Sequence, residues 1–181
     1  MTRIGLAILL ATIATGSWAQ APHQHGHGTA TITFEGNRLA IELVMPGADI
    51  VGFERPPQTP AEEVALAGAT AALRNPIGIV ALPTAARCTV AEAEVTVEGY
   101  ERPTAGAAAT EHTEFEAVYL FTCADAAGIR TIEFPLFAKF QNAEEIEVTV
   151  LTGRGPTEYE VTRATPRLDR GNFLLRWLTG R

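Results

Sequence analysis

Residues 111–123, EHTEFEAVYLFTC, alternate with the period of a β-strand. Phe115, Ala117, Tyr119 and Phe121 fall on one face, and Cys123 ends the same row. His112, Glu114 and Glu116 fall on the other, successive side chains about 7 Å apart at a rise of roughly 3.3 Å per residue. One face is a packing face. The other offers an imidazole and two carboxylates, groups that can ligate a metal. Cys123 is one of two cysteines in the chain.

The segment ahead of the fold has the marks of an export signal. Arg3 supplies a short positive region, residues 4–15 are apolar and uncharged, and Ser17-Trp18-Ala19 is a small-x-small cleavage signal. Cleavage is expected after Ala19. The apolar run is too short to span a bilayer. Cleavage there leaves an exported chain of about 160 residues, enough for one domain. The expected division is a signal peptide over 1–19, a histidine-containing leader over 20–28, one domain over 29–165 and a basic, apolar tail over 166–181.

Two cysteines in an exported chain read as one disulfide, Cys88 to Cys123. The alternative is a thiolate metal site, and the absence of a C-x-x-C pair counts against it. Charge is uneven. Residues 20–162 hold twenty acids and eight bases, a balance of −12, whereas residues 163–181 hold five arginines and one acid, a balance of +4. An acidic body argues against nucleic acid as a partner, since phosphate binding needs a basic surface. It is compatible with cations, and equally with a plain solubilising coat.

The clearest local structure is a hairpin. Residues 29–35 alternate with Ile32 and Phe34 inward, and 38–44 with Leu39, Ile41 and Leu43 inward. Gly36-Asn37 between them is a two-residue turn of the favoured kind. The register then pairs Phe34 with Leu39, Ile32 with Ile41 and Glu35 with Arg38, so apolar meets apolar and acid meets base. An irregular connection follows Pro46. Thr59-Pro60-Ala61-Glu62 opens a helix with an N-cap threonine, proline at the first position and a glutamate completing a capping box. Leu66, Ala69, Thr70 and Leu73 give it a thin apolar stripe, and Asn75-Pro76 stops it. Residues 77–82 form a short buried segment.

Further strands are expected over 89–98, 130–134, 145–152 and 157–163, with a helical turn over 135–140. The parity of 89–98 slips, because Ala91, Ala93, Val95 and Val97 share a face that Cys88 and Val90 do not. A bulge near Ala91, or Cys88 lying ahead of the strand proper, accounts for it. The tail, with Phe173, Leu174, Leu175, Trp177 and Leu178 among arginines, is an amphipathic helix docked on the domain or lying on a membrane surface. Docking is favoured, because one or two turns of apolar surface give little anchorage. The fold class is α+β: about seven mostly antiparallel strands, one principal helix and one disulfide.

Catalytic motifs are missing. The single serine, Ser17, lies in the signal segment, His112 is the one histidine of the folded body, and no phosphate-binding loop or H-E-x-x-H occurs. The chain is therefore not expected to be an enzyme. Metal binding is the sharper idea. His112 and Glu114 offer two ligands suited to zinc, and His25 and His27 offer two more if the leader runs beside that strand. In an extended leader His23, His25 and His27 all point one way.

The chain resembles the ZrgA-type family of exported zinc-uptake proteins of Gram-negative bacteria. The resemblance is carried in order by His25-Gly26-His27-Gly28, Asp49-Ile50-Val51-Gly52-Phe53-Glu54, Ala86-Arg87-Cys88-Thr89, Glu111-His112-Thr113-Glu114-Phe115 and Phe121-Thr122-Cys123-Ala124-Asp125. It implies a periplasmic protein that binds zinc and hands it to a transporter or other envelope protein, with His25, His27, His112 and Glu114 as ligands and Glu54 as an outside candidate. Two departures matter. Arg55 stands where the family has a histidine after Gly-Phe-Glu, and a guanidinium cannot ligate a metal. Residues 99–110 lack the family's histidine-rich loop. The alternative is a metal-free envelope interaction module in which Arg55 pairs with Glu54, Glu111 or Glu114 and takes the place of the ion.

Overall fold

A computed structural model describes residues 26–102 and 112–171. The expected signal segment, His23 and His25, residues 103–111 and the apolar part of the tail lie outside the described residues.

The hairpin forms as its turn dictates. Strands β1 (His27–Glu35) and β2 (Arg38–Pro46) pair Phe34 with Leu39, Ile32 with Ile41 and Glu35 with Arg38. β1 starts two residues earlier than its alternation predicts, so His27 belongs to the strand. Strand β4 (Glu114–Cys123) lies antiparallel to β2, and β3 (Cys88–Glu98) antiparallel to β4. The β3–β4 register shifts between Val90 and Glu92, leaving Ala91 as the extra residue where the parity slips. Cys88 stands opposite Cys123 and the two form the disulfide.

On the other side of the hairpin, β6 (Glu145–Thr152) runs parallel to β1, and β7 (Gly155–Thr162) returns antiparallel to β6. The resulting six-stranded sheet has the order β3-β4-β2-β1-β6-β7 and is mixed rather than wholly antiparallel. Among the described residues there is also a two-stranded sheet of β5 (Thr131–Glu133) and β8 (Arg167–Asp169). β8 falls at the expected start of the tail. Its Leu168 is buried in the core cluster.

The inner face of the large sheet is the core. Ile32, Ile41, Phe115, Tyr119, Ile146 and Val148 are almost wholly removed from solvent. Three helices supply residues to the same cluster: α1 (Gly47–Val51) gives Ile50, α2 (Pro60–Leu73) gives Ala69 and Leu73, and α3 (Leu136–Lys139) gives Leu136 and Phe137. The expected capping box is present, with Glu62 N–H donating to Thr59 Oγ1 at 3.2 Å. The far end of α2 is held by Tyr119, whose hydroxyl donates to Leu73 O at 2.7 Å. Arginines near the C-terminus close other helix and loop ends. Arg163 donates to the carbonyls of Phe137, Phe140 and Ala143, and Arg170 donates to Ile129 O while stacking on the Phe34 ring at 4.0 Å. Part of the tail's positive charge is thus structural.

Replacing Cys88 and Cys123 together with alanine is expected to lower the unfolding free energy by about 3–4 kcal/mol, the chain entropy released by a separation of 35 residues. The shift of the urea midpoint measures it. A loss below about 1 kcal/mol would mean that the β3–β4 ladder is sufficient without its crosslink.

Candidate functional site

Alternation turns the second face of the large sheet outward, and glutamates crowd it. β2, β3, β4, β6 and β7 each place at least one there, among them Glu42, Glu94, Glu116, Glu147 and Glu160. At one end of this face a single cross-strand row runs Glu98, Glu114, Pro46 and, beyond the hairpin, His27, Glu145 and Thr162. His27 sits two steps past the Thr29–Val44 pair of β1 and β2, which sets it beside Pro46. His27 and Glu114 therefore flank the short ring of Pro46 at about 10 Å between Cα atoms, two strand spacings. On the other side His27 Nδ1 lies 3.6 Å from Glu145 Oε1, with both side chains part-exposed. An imidazole beside a carboxylate can serve a zinc site as ligand pair or as ligand and orienting partner.

The loop after β2 ties the motif blocks together. Asp49, in α1, is buried, and its Oδ1 accepts a hydrogen bond from Gly26 N–H at 2.7 Å. The Gly26 carbonyl accepts from the amides of Glu144 and Glu145 at 2.9 and 2.8 Å. Gly26 has φ +84°, a left-handed conformation suited to glycine. His23 and His25, with which His27 is expected to share one side of an extended leader, lie outside the described residues. On the β4 side, Gly47 N–H donates to Thr113 O at 2.9 Å. A Cβ on Gly47 would stand 2.1 Å from both Thr113 Oγ1 and Tyr100 Oη, so this approach requires glycine. Tyr100 donates to Phe53 O at 2.8 Å and packs its ring against Phe53 and Phe115, with centroids 5.7 and 5.6 Å away. Burial pushes the Tyr100 hydroxyl up to about 12, the Thr113 hydroxyl pulls it back, and the charge of Glu54 adds to the rise. It is a neutral donor at any physiological pH.

The expected site residues are thus divided. His27 and Glu114 share a face and a row. His112 is exposed immediately ahead of β4, two residues from Glu114. Glu54 lies in the loop beyond Gly52, close enough to Tyr100 for its charge to be felt. His25 and Glu111 lie outside the described residues. Among the described residues no group of three or more His, Cys, Asp or Glu is arranged to enclose an ion.

Glu111, one of the expected partners of Arg55, lies outside the described residues. Arg55 makes a two-pronged contact with Glu62, at 2.6 and 3.1 Å, a partner not among those expected from the sequence. It also donates to Pro56 O at 3.3 Å and lies 5.4 Å from the Phe53 ring centre. The Glu62 carboxylate already faces the start of α2, where it accepts from Gln58 and Thr59 amides, and it has room for the guanidinium as well. Two residues the sequence does not single out belong to this region, Glu145 and Asp49. Glu145 has the polar parity of its strand, but nothing local says that β6 pairs with β1. Asp49 falls within a motif block, yet its burial has no sequence signature.

A family model described as ZrgA family zinc uptake protein matches residues 22–170, a span that contains all five motif blocks. No curated protein matches the chain.

Two outcomes test this geometry. Gly47→Ala is expected to cost about 1–3 kcal/mol through overpacking against Tyr100 and Thr113, read by urea denaturation. Arg55, then the Gln58 amide, holds the Glu62 carboxyl down from 4.5 to about 2. A carboxyl depressed on folding stabilises above its unfolded value and loses that contribution as pH falls through the folded one. The first turn of α2 should therefore fray between about pH 4.5 and 2, modestly because the pair is solvent-screened. Amide exchange at Glu62 and Glu63 that stays level with β1 across that range would refute it.

Proposed function

The chain belongs to the ZrgA family of zinc uptake proteins, and from that premise we propose that it is a periplasmic zinc-binding accessory protein that captures Zn²⁺ and passes it to an uptake transporter. Zinc is cargo here. The observation that carries the reading is the His27–Glu145 pair at 3.6 Å, set in one row with Glu114 on a glutamate-rich face. His25 continues the same leader, His112 is two residues from Glu114, and Glu54 is the outlying donor. An acidic face concentrates cations near it. A carrier has to release its ion, so three protein ligands with one labile position suit the task better than a closed tetrahedral set.

Capture and release require no chemistry on the cargo, and we assign no catalytic role. The disulfide and the family both suit an exported protein. In the metal-free alternative Arg55 takes the place of an ion; among the described residues it pairs with Glu62.

Calorimetric titration of Zn²⁺ into the exported chain is the direct test. Saturable binding is expected, weakened about ten-fold or more by His25→Ala with His27→Ala and by His112→Ala with Glu114→Ala. Binding should also weaken below about pH 6, because a protonated imidazole cannot ligate. No saturable uptake, or affinity indifferent to both pairs of substitutions, would sink the proposal.

A further inference from the structure

We infer that the outer edge of β3 is a docking site for an extended segment of another protein, one that alternates apolar and basic residues and adds to the large sheet as a further strand. The inference does not rest on zinc. β3 ends the sheet, and among the described residues no strand lies on its other side. Hydrogen bonds of β4 and its flanks fix which groups face that edge. Thr113 O accepts from Gly47 N–H at 2.9 Å, and Cys123 N–H donates to Asn37 O at 2.8 Å, so both bond toward the hairpin. Backbone groups alternate sides along a strand, which leaves Glu114, Glu116, Val118 and Leu120 bonding toward β3. Their partners there are Glu98, Thr96, Glu94 and Glu92. The N–H and C=O of Ala93, Val95 and Val97 consequently point away from β4, along an open edge.

The edge is held at both ends. The disulfide ties the start of β3 to β4. Just past its end, Tyr100 is buried and donates to Phe53 O at 2.8 Å. Ala93, Val95 and Val97 turn toward the core but are only half-buried. Beside them β3 and α2 leave a groove of about 500 Å³, whose lining includes Leu66, Thr70, Val97 and Tyr100. Inward side chains of an added strand would fill that groove and cover the valines. On the opposite face Glu92, Glu94 and Glu98 are exposed. Charge decides the occupant. A second copy pairing through β3, or through β7 with Glu158 and Glu160 on the same face, would set carboxylate beside carboxylate. A segment with lysine or arginine at alternate positions sets cation beside carboxylate, and the period of two then places its apolar residues on the groove side. The other edge is less open to pairing, since β7 has 8 residues against 11 in β3 and carries Pro156.

The experiment titrates the full chain, without added metal, with synthetic peptides as long as the ladder from Glu92 to Glu98. One alternates lysine and valine, one alternates glutamate and valine, and one carries its lysines and valines in separate blocks. Affinity is read by calorimetry and the place of binding by amide exchange. Saturable binding is expected of the alternating lysine peptide alone, with exchange slowed at Ala93, Val95 and Val97 and unchanged in β7. Glu92→Lys with Glu94→Lys, both on the exposed face, should weaken it about ten-fold or more. Val95→Pro removes one outward N–H, a loss that an edge strand tolerates, and should weaken it as much. If the proline variant does not fold, the paired lysine substitution decides. No saturable binding of the alternating lysine peptide overturns the inference. So does equal binding of the glutamate or the block peptide, binding that leaves exchange at Ala93, Val95 and Val97 unchanged, or affinity indifferent to Glu92→Lys with Glu94→Lys. A chain that sediments alone as a dimer, and as a monomer once Val95→Pro is introduced, overturns it as well, because a second copy then holds the edge.

Discussion

A two-residue turn allows a hairpin one register, and the large sheet is built outward from that hairpin. Gly36-Asn37 sets Ile32 against Ile41, β4 then attaches to β2, and β6 to β1. Side chains alternate with a period of two. A slip of β1 by one residue would carry Ile32 to the glutamate face and His27 into the core. The apolar pairs across the hairpin therefore determine where the histidine points. Stability and the placing of the candidate ligands are one constraint.

The hairpin, the capping box, the inner face of β4, the bulge at Ala91 and the disulfide are legible in the sequence because each leaves a local mark: a turn dipeptide, a spacing of three, a parity, a pair of cysteines. Partners distant along the chain leave none. Nothing in the composition of β6 says that it lies parallel to β1, so Glu145 carries no mark of its role although its face is plain. Arg55 shows another limit. The sequence marks Glu62 as a capping residue, yet a carboxylate has about four acceptor positions and serves the helix start and a guanidinium together. Asp49 shows a third. In a sequence a buried aspartate looks like a solvated one.

The loop from Gly47 to Glu54 then appears as a hub rather than a connection. Through Asp49 it holds the start of β1, through Gly47 it meets Thr113, and through Phe53 it receives Tyr100. Three motif blocks far apart in the chain are gathered there by hydrogen bonds to the backbone and one aromatic cluster. The groups that hold this scaffold are backbone amides and carbonyls, buried rings and one buried carboxylate, and none of them is a candidate ligand.

The parallel pairing of β1 with β6 also bears on time. Of the described strands β1 is made first, and its hairpin partner follows after two residues of turn. Its other neighbour begins at Glu145, more than a hundred residues later, and such distant closures are the slow ones. His27 meets Glu145, and the Gly26 carbonyl meets the Glu144 and Glu145 amides, only when the sheet closes. A chain cut short before β6 carries His27 without this setting. Completion of the fold is thus the event that creates the pair, and the first strand made waits longest for its second neighbour.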